Sequence, residues 1–147
     1  MPISATLPAT GDTTFSLATP RDRLLVLYFY PRDNTPGCST EAQQFRDLHA
    51  DFIAAGADVV GVSRDSVKAH ENFRAKYNLP FPLVSDQDET LSSHFGVIKQ
   101  KKLYGKEVRG IERSTFVLDV HGQILREWRG VKVPGHAAAV LESVQTL

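Results

Sequence analysis

Cys38 is the single cysteine of the chain, and it closes the run Pro31-Arg32-Asp33-Asn34-Thr35-Pro36-Gly37-Cys38. A thiol reacts as its thiolate, which is both a nucleophile and a metal ligand. The metal reading finds no support. His49, His70, His94, His121 and His136 are scattered, with no spacing that gathers ligands. Asp86-Gln87-Asp88-Glu89 lacks the glycine and distal glutamate of a calcium loop and reads as capping and turn residues. No metal and no other cofactor is expected. The neighbours of Cys38 suit a nucleophile instead. Thr35 stands three positions earlier, close enough to point a hydroxyl at whatever approaches the sulfur. Pro31, with fixed φ and no N–H, can wall the thiol from bulk water without competing for hydrogen bonds. Glu41, one helical turn later, shares the face of Cys38 and could hold an arginine beside it.

Such a thiol needs a frame. Leu24-Leu25-Val26-Leu27-Tyr28-Phe29-Tyr30 reads as a buried strand over 23–30, and the residues after Cys38 carry a helical pattern. The helix runs from about Cys38 to Ala54, with Ala42, Phe45, Leu48 and Phe52 on one stripe, and Gly56 ends it. The thiol therefore sits at the carboxyl end of a core strand, where open α/β sheets gather their reactive sites. It also lies on the first turn of a helix, whose free N–H groups and partial positive charge favour an anionic sulfur.

Downstream, Ala57 to Ser63 is a second buried strand, and Asp65 and Ser66 supply capping oxygens for a helix to Tyr77. That helix turns Val67, His70, Phe73 and Tyr77 inward. Leu79-Pro80-Phe81-Pro82 must be extended, with a short strand at 83–85 and a short helix from Thr90 or Leu91 to Phe95. Residues 97–113 read as a long polar, basic connection, a solvated flap leading to Arg113. Ser114 to Asp119 is a third buried strand, Gly122 permits a tight turn, and Gln123 to Arg129 returns beside it. A helix from His136 closes the chain. Residues 1–13 read as an extended edge or loosely held arm, with a short outer strand from Thr13 to Leu17, and Trp128 as a residue packed in the sheet. This order implies an α/β fold with a central mixed sheet flanked by helices, in one domain of 147 residues.

Pro-x-x-x-Thr-x-x-Cys resembles the active-site signature of the peroxiredoxins. The longer string from Tyr28 to Ala42 is similar to the subgroup known as PrxQ or bacterioferritin comigratory protein. The likeness continues through Leu79 to Asp86, Phe95-Gly96-Val97 and Arg113 to Asp119, and covers the chain from about Thr14 onward. It implies a thioredoxin-like fold with peroxiredoxin insertions and a thiol-dependent peroxidase. Cys38 would attack the peroxide, aided by Thr35 and by backbone N–H donors near Gly37 and Cys38. Arg113, which matches the family's second arginine-bearing motif, would stand beside the sulfur, oriented by Glu41. The resolving cysteine of many relatives falls at Gln43 here, and residues 66–77 contain none. The implied cycle is therefore a one-cysteine one. Cys38 sulfenic acid would be reset by an external thiol, thioredoxin or glutaredoxin with glutathione.

The totals narrow the remaining classes. Seventeen basic and seventeen acidic residues balance, so no global charge steers the chain toward nucleic acid or anionic membrane. Lys99, Lys101, Lys102, Lys106 and Arg109 make a local basic stretch without the interleaved aromatics of a nucleic-acid binder. No apolar run is long enough for a membrane span. The lone cysteine and the absence of a basic-then-apolar N-terminus point to the cytoplasm. A monomer is expected, with room for a transient disulfide-linked dimer. The competing reading is a thioredoxin-fold binding or holdase module without turnover. A thiol–disulfide oxidoreductase is disfavoured by the missing Cys-x-x-Cys pair.

Overall fold

The computed structural model describes residues 5–147. Its elements are β1 (Leu7–Ala9), β2 (Thr13–Phe15), β3 (Leu24–Phe29), α1 (Pro36–Asp47), α2 (His49–Ala54), β4 (Ala57–Ser63), α3 (Val67–Tyr77), β5 (Leu83–Ser85), α4 (Thr90–His94), β6 (Ile98–Leu103), β7 (Lys106–Ile111), β8 (Ser114–Leu118), β9 (Ile124–Arg129) and α5 (His136–Gln145). Seven strands form one mixed sheet in the order β2-β1-β5-β4-β3-β8-β9. β3, β4 and β5 run parallel, whereas β8 is antiparallel to β3 with Phe29 opposite Ser114.

Alternation along β3 divides the core. Val26, Tyr28 and Tyr30 join Cys38, Ala42, Phe45, Phe52, Phe73 and Val140 in a cluster beneath α1, α2, α3 and α5. Leu25, Leu27 and Phe29 face the other way, into a cluster with Leu91, Phe95, Val97 and Phe116. Every residue of β3 after Leu24 is buried, so the strand reads as an unbroken apolar run although its two faces serve different layers.

Four expectations need correction. The helix drawn from Cys38 to Ala54 starts two residues earlier, at Pro36, and is two helices. Leu48, at φ −100° and ψ 2°, ends α1 while its N–H still reaches Gln44 O at 3.2 Å. Phe45 before the break and Phe52 after it both enter the core, with ring centroids 5.8 Å apart. Asp65 does not cap α3. Ser66 alone does so, its hydroxyl accepting from Ala69 N at 3.1 Å. Residues 98–111 are not a loose flap but a regular antiparallel hairpin, with Ile98 opposite Ile111. Its turn uses φ values of 53° at Tyr104 and 77° at Gly105, the left-handed pair of a two-residue hairpin loop. Finally, the N-terminal arm includes β1, which joins the sheet between β2 and β5. Residues 1–4 of the expected arm lie outside the described residues.

Candidate active site

Topology brings the sulfur and Arg113 together. β3 ends at Phe29 and passes through loop 30–35 into α1, while antiparallel β8 begins at Ser114 beside that same end. Arg113, one residue before β8, is pinned through its backbone by Val131 N, which donates to Arg113 O at 3.0 Å. Its side chain then reaches under the start of α1. Arg113 Nη2 donates to Cys38 Sγ at 3.3 Å, and Nη1 donates to Glu41 Oε1 at 2.7 Å. One planar fork thus serves a sulfur and a carboxylate on the same helix face.

Local sequence sets the helix entrance. Thr35 is extended at φ −102° and ψ 153°, Pro36 occupies the first helical turn, and no side chain caps α1. The first intrahelical bond runs from Ser39 N to Thr35 O at 2.8 Å. The N–H groups of Gly37 and Cys38 therefore stay outside the ladder, beside the sulfur. Gly37 is small for a reason: a Cβ there would lie 3.3 Å from Arg113 Nη2.

Thr35 is half-buried and its hydroxyl donates to Arg32 O at 3.0 Å. With its proton committed, Oγ1 offers lone pairs and can accept from an incoming O–H group. Pro31 stands exposed at the start of the loop. Cys38 itself is only 2 % exposed, and its burial owes much to the apolar cluster in which it packs.

Electrostatically the site is unbalanced. Glu41 is fully buried, and its Oε2 finds no donor among the described residues. Burial pushes its carboxyl up to about 7, against the charge and hydrogen bond of Arg113. Burial also opposes the Arg113 charge, but Glu41 and Cys38 outweigh it and hold the guanidinium above its ordinary range. His136, at the start of α5, is pushed down to about 4 by burial and then by Arg113. Neutral at pH 7, it meets Thr115 Oγ1 at 2.8 Å and packs edge-on against Phe45 and Trp128. A buried sulfur, a permanent cation beside it and free amide donors at a helix start suit nucleophilic displacement on an oxygen–oxygen bond.

The sequence of residues 2–126 matches the family model described as AhpC/TSA. This chain is a peroxiredoxin. It is 54% identical over 139 residues to peroxiredoxin Bcp of Xanthomonas campestris, covering 95% of this chain and 87% of that protein. Against peroxiredoxin Bcp of Bacillus subtilis the identity is 47% over 134 residues, covering 91% and 85%. A solved structure of the Xanthomonas campestris bacterioferritin comigratory protein superposes with a TM-score of 0.93 at 52% identity, covering 97% of this chain and 90% of that one. The thioredoxin-like peroxiredoxin fold implied by the resemblance is therefore the fold of this chain, and its family activity is thiol-dependent peroxide reduction. Peroxiredoxin Q structures from the same organism carry serine in place of cysteine at two different positions, so that protein has at least two cysteines. This peroxiredoxin has one.

Reading the sequence singled out Cys38, Thr35, Arg113, Pro31, Glu41 and Gly37. The structure joins Cys38, Arg113 and Glu41 directly and sets Gly37 against the guanidinium. Asp33 and His70 were missed as a linked pair, though both are buried. The available signal was His70 on the inward stripe of α3, between Val67 and Phe73, since a buried imidazole demands partners.

Proposed function

We propose that this peroxiredoxin reduces hydrogen peroxide and organic hydroperoxides by a one-cysteine cycle. The sulfur of Cys38 attacks the nearer peroxide oxygen, and the S–O bond forms as the O–O bond breaks. The departing alkoxide or hydroxide takes a proton and leaves as alcohol or water, and Cys38 becomes sulfenic acid. Arg113 supplies the fixed positive charge next to the sulfur. The Gly37 and Cys38 N–H groups stabilise charge gathering on the oxygens, and Thr35 Oγ1 accepts from the peroxide O–H. Glu41 orients Arg113, and Pro31 shields one side of the thiol. The contact that carries this reading is Arg113 Nη2 on Cys38 Sγ at 3.3 Å.

With one cysteine, the sulfenic acid condenses with an external thiol, releasing water and forming a mixed disulfide. A second thiol then restores Cys38. Thioredoxin, or glutaredoxin with glutathione, supplies those electrons in a cytoplasmic monomer, with a disulfide-linked dimer only in passing. No helix among the described residues is long and apolar enough to cross a membrane. The test is one equivalent of peroxide followed by intact mass. A gain of one oxygen atom, trapped by dimedone at Cys38 and removed by glutathione or thioredoxin, supports the cycle. An unreacted thiol would leave a binding module without turnover.

A further inference from the structure

A second buried polar cluster lies on the loop that carries Thr35. Arg32 and Asn34 are exposed, but Asp33 between them is buried. Its Oδ1 accepts from Tyr30 Oη at 2.6 Å, its Oδ2 meets His70 Nδ1 at 2.6 Å, and its N–H donates to Asp65 Oδ2 at 2.8 Å. His70 is 0 % exposed, and its Nε2 lies 2.9 Å from Val84 O. A carbonyl only accepts, so that nitrogen donates. Asp65 is fixed in turn by the Ser63 hydroxyl at 2.5 Å and by Ser85 Oγ, which donates to its carbonyl at 2.6 Å. One loop residue is thus tied to Tyr30 just past β3 and to α3 directly, and through Asp65 to β4 and β5.

The carboxylates and imidazole lie within 4.8 Å of one another, as metal ligands would. Both oxygens of Asp33 and both nitrogens of His70 are already engaged, however, so the cluster reads as an anchor. Its position gives it a task. Asn34, at φ 59°, makes the left-handed turn after Asp33, Thr35 follows in extended form, and α1 begins. Only that short turn separates the clamped residue from the peroxide-facing groups. Past Tyr30, which packs in the core, apolar packing does little to hold this loop, because Pro31, Arg32 and Asn34 are exposed, as is Pro36 at the start of α1.

We propose that Asp33 and His70 are positioning residues for peroxide reduction: their contact fixes the loop so that Thr35 and the free N–H groups of α1 stay aimed at the sulfur. This rests on the reading of Thr35 as a peroxide contact, so the test separates the two. Second-order rate constants with peroxide are measured for Asp33→Ala, Thr35→Val and the double variant, beside alkylation of Cys38 by iodoacetamide. Misplacement of about 1 Å costs up to roughly a hundredfold in rate. Asp33→Ala should therefore slow peroxide reduction at least about tenfold while alkylation changes by less than about threefold. In the Thr35→Val background the Asp33 effect should shrink, because part of what the loop positions has gone. His70→Gln, which keeps a donor and an acceptor, supplies the same cycle if Asp33→Ala does not fold.

If Thr35→Val leaves the peroxide rate unchanged, the Thr35 reading fails. If Thr35→Val slows the reaction but the Asp33 or His70 variant does not, the positioning role is overturned. Equal losses in alkylation and peroxide rate, or full additivity in the double variant, overturn it as well.

Discussion

Two buried polar clusters sit at the same end of this sheet, and they are satisfied to different degrees. Around Asp33 and His70 every side-chain oxygen and nitrogen of the pair has a protein partner, drawn from the loop after β3, from α3 and from β5. Around Cys38 the accounting is incomplete. Glu41 Oε2 and the nearby Tyr28 hydroxyl find no partner among the described residues, and no side chain caps the N–H groups at the start of α1. A buried network with all valences filled rigidifies, whereas unmet valences cost stability unless something else uses them. The first cluster is built to hold and the second to receive. That contrast separates support from chemistry within one loop.

Variants in the receiving cluster test the contrast at its strongest. Cys38→Ser should abolish peroxide consumption and leave the cooperative unfolding transition in place, since the side chain keeps its size. Peroxidase turnover by the serine variant, measured by peroxide loss with thiol in excess, would refute the assignment. Arg113→Ala should come next. Removing one preorganised donor from a water-poor site costs about 10²–10³ in rate. Arg113→Lys should recover only part of this, because an ammonium keeps the charge and loses the fork that spans Cys38 and Glu41. Rates for both variants close to the wild type would remove Arg113 from the chemistry.

How far these features were legible before folding depends on what signals each one. β3, β4 and β8 were plain in the sequence because burial on both faces leaves runs dominated by apolar residues. The hairpin at 98–111 was invisible for the opposite reason. Tyr104 is 97 % exposed and the residues from there to Arg109 all lie in solvent, so that stretch had no need to be apolar and no alternation was written. The break at Leu48 escaped because Leu48 sits on the same stripe as Phe45 and Phe52, and a continuous helix buries that stripe equally well on paper. Within the site, the start of α1 and Glu41 followed from helical spacing. Arg113 lies 75 residues from Cys38, and only its family motif suggested the meeting. The anchor at Asp33 gave least warning, since apart from Tyr30 its partners Asp65 and His70 lie 32 and 37 residues away along the chain.

A smaller effect sharpens the comparison through pH. Glu41 moves from its ordinary 4.5 up to about 7 on folding. Between those values the folded state holds a proton that the unfolded state has released, so this group makes stability fall as pH rises. His136 moves from 6.5 down to about 4. Between those values the unfolded state holds the extra proton, so this group makes stability fall as pH drops. The two slopes oppose each other from pH 4.5 to 6.5. Glu41→Gln should remove one and leave the other, so the variant loses stability more steeply on acidification below pH 6.5 than the parent. Urea unfolding at several pH values measures this. Coincident slopes for variant and parent would mean that Glu41 is not the buried, proton-binding carboxyl described here.

The subtlest test separates position from stability at a single methyl group. Gly37 does not have a positive φ, so alanine is permitted by the backbone. In the first turn of α1 alanine is also the better helix former, by less than about 1 kcal/mol. Its Cβ would, however, lie 3.3 Å from Arg113 Nη2, closer than the guanidinium tolerates without shifting by a few tenths of an ångström. Gly37→Ala should therefore leave the thermal midpoint equal or slightly higher while slowing peroxide reduction roughly two- to fivefold, because reaction geometry is sensitive to small displacements. Opposite signs in the two measurements would show that α1 begins where it does to admit Arg113. A rate equal to the wild type would mean that the guanidinium can give way without consequence, and the tight fit at this corner would then be packing alone.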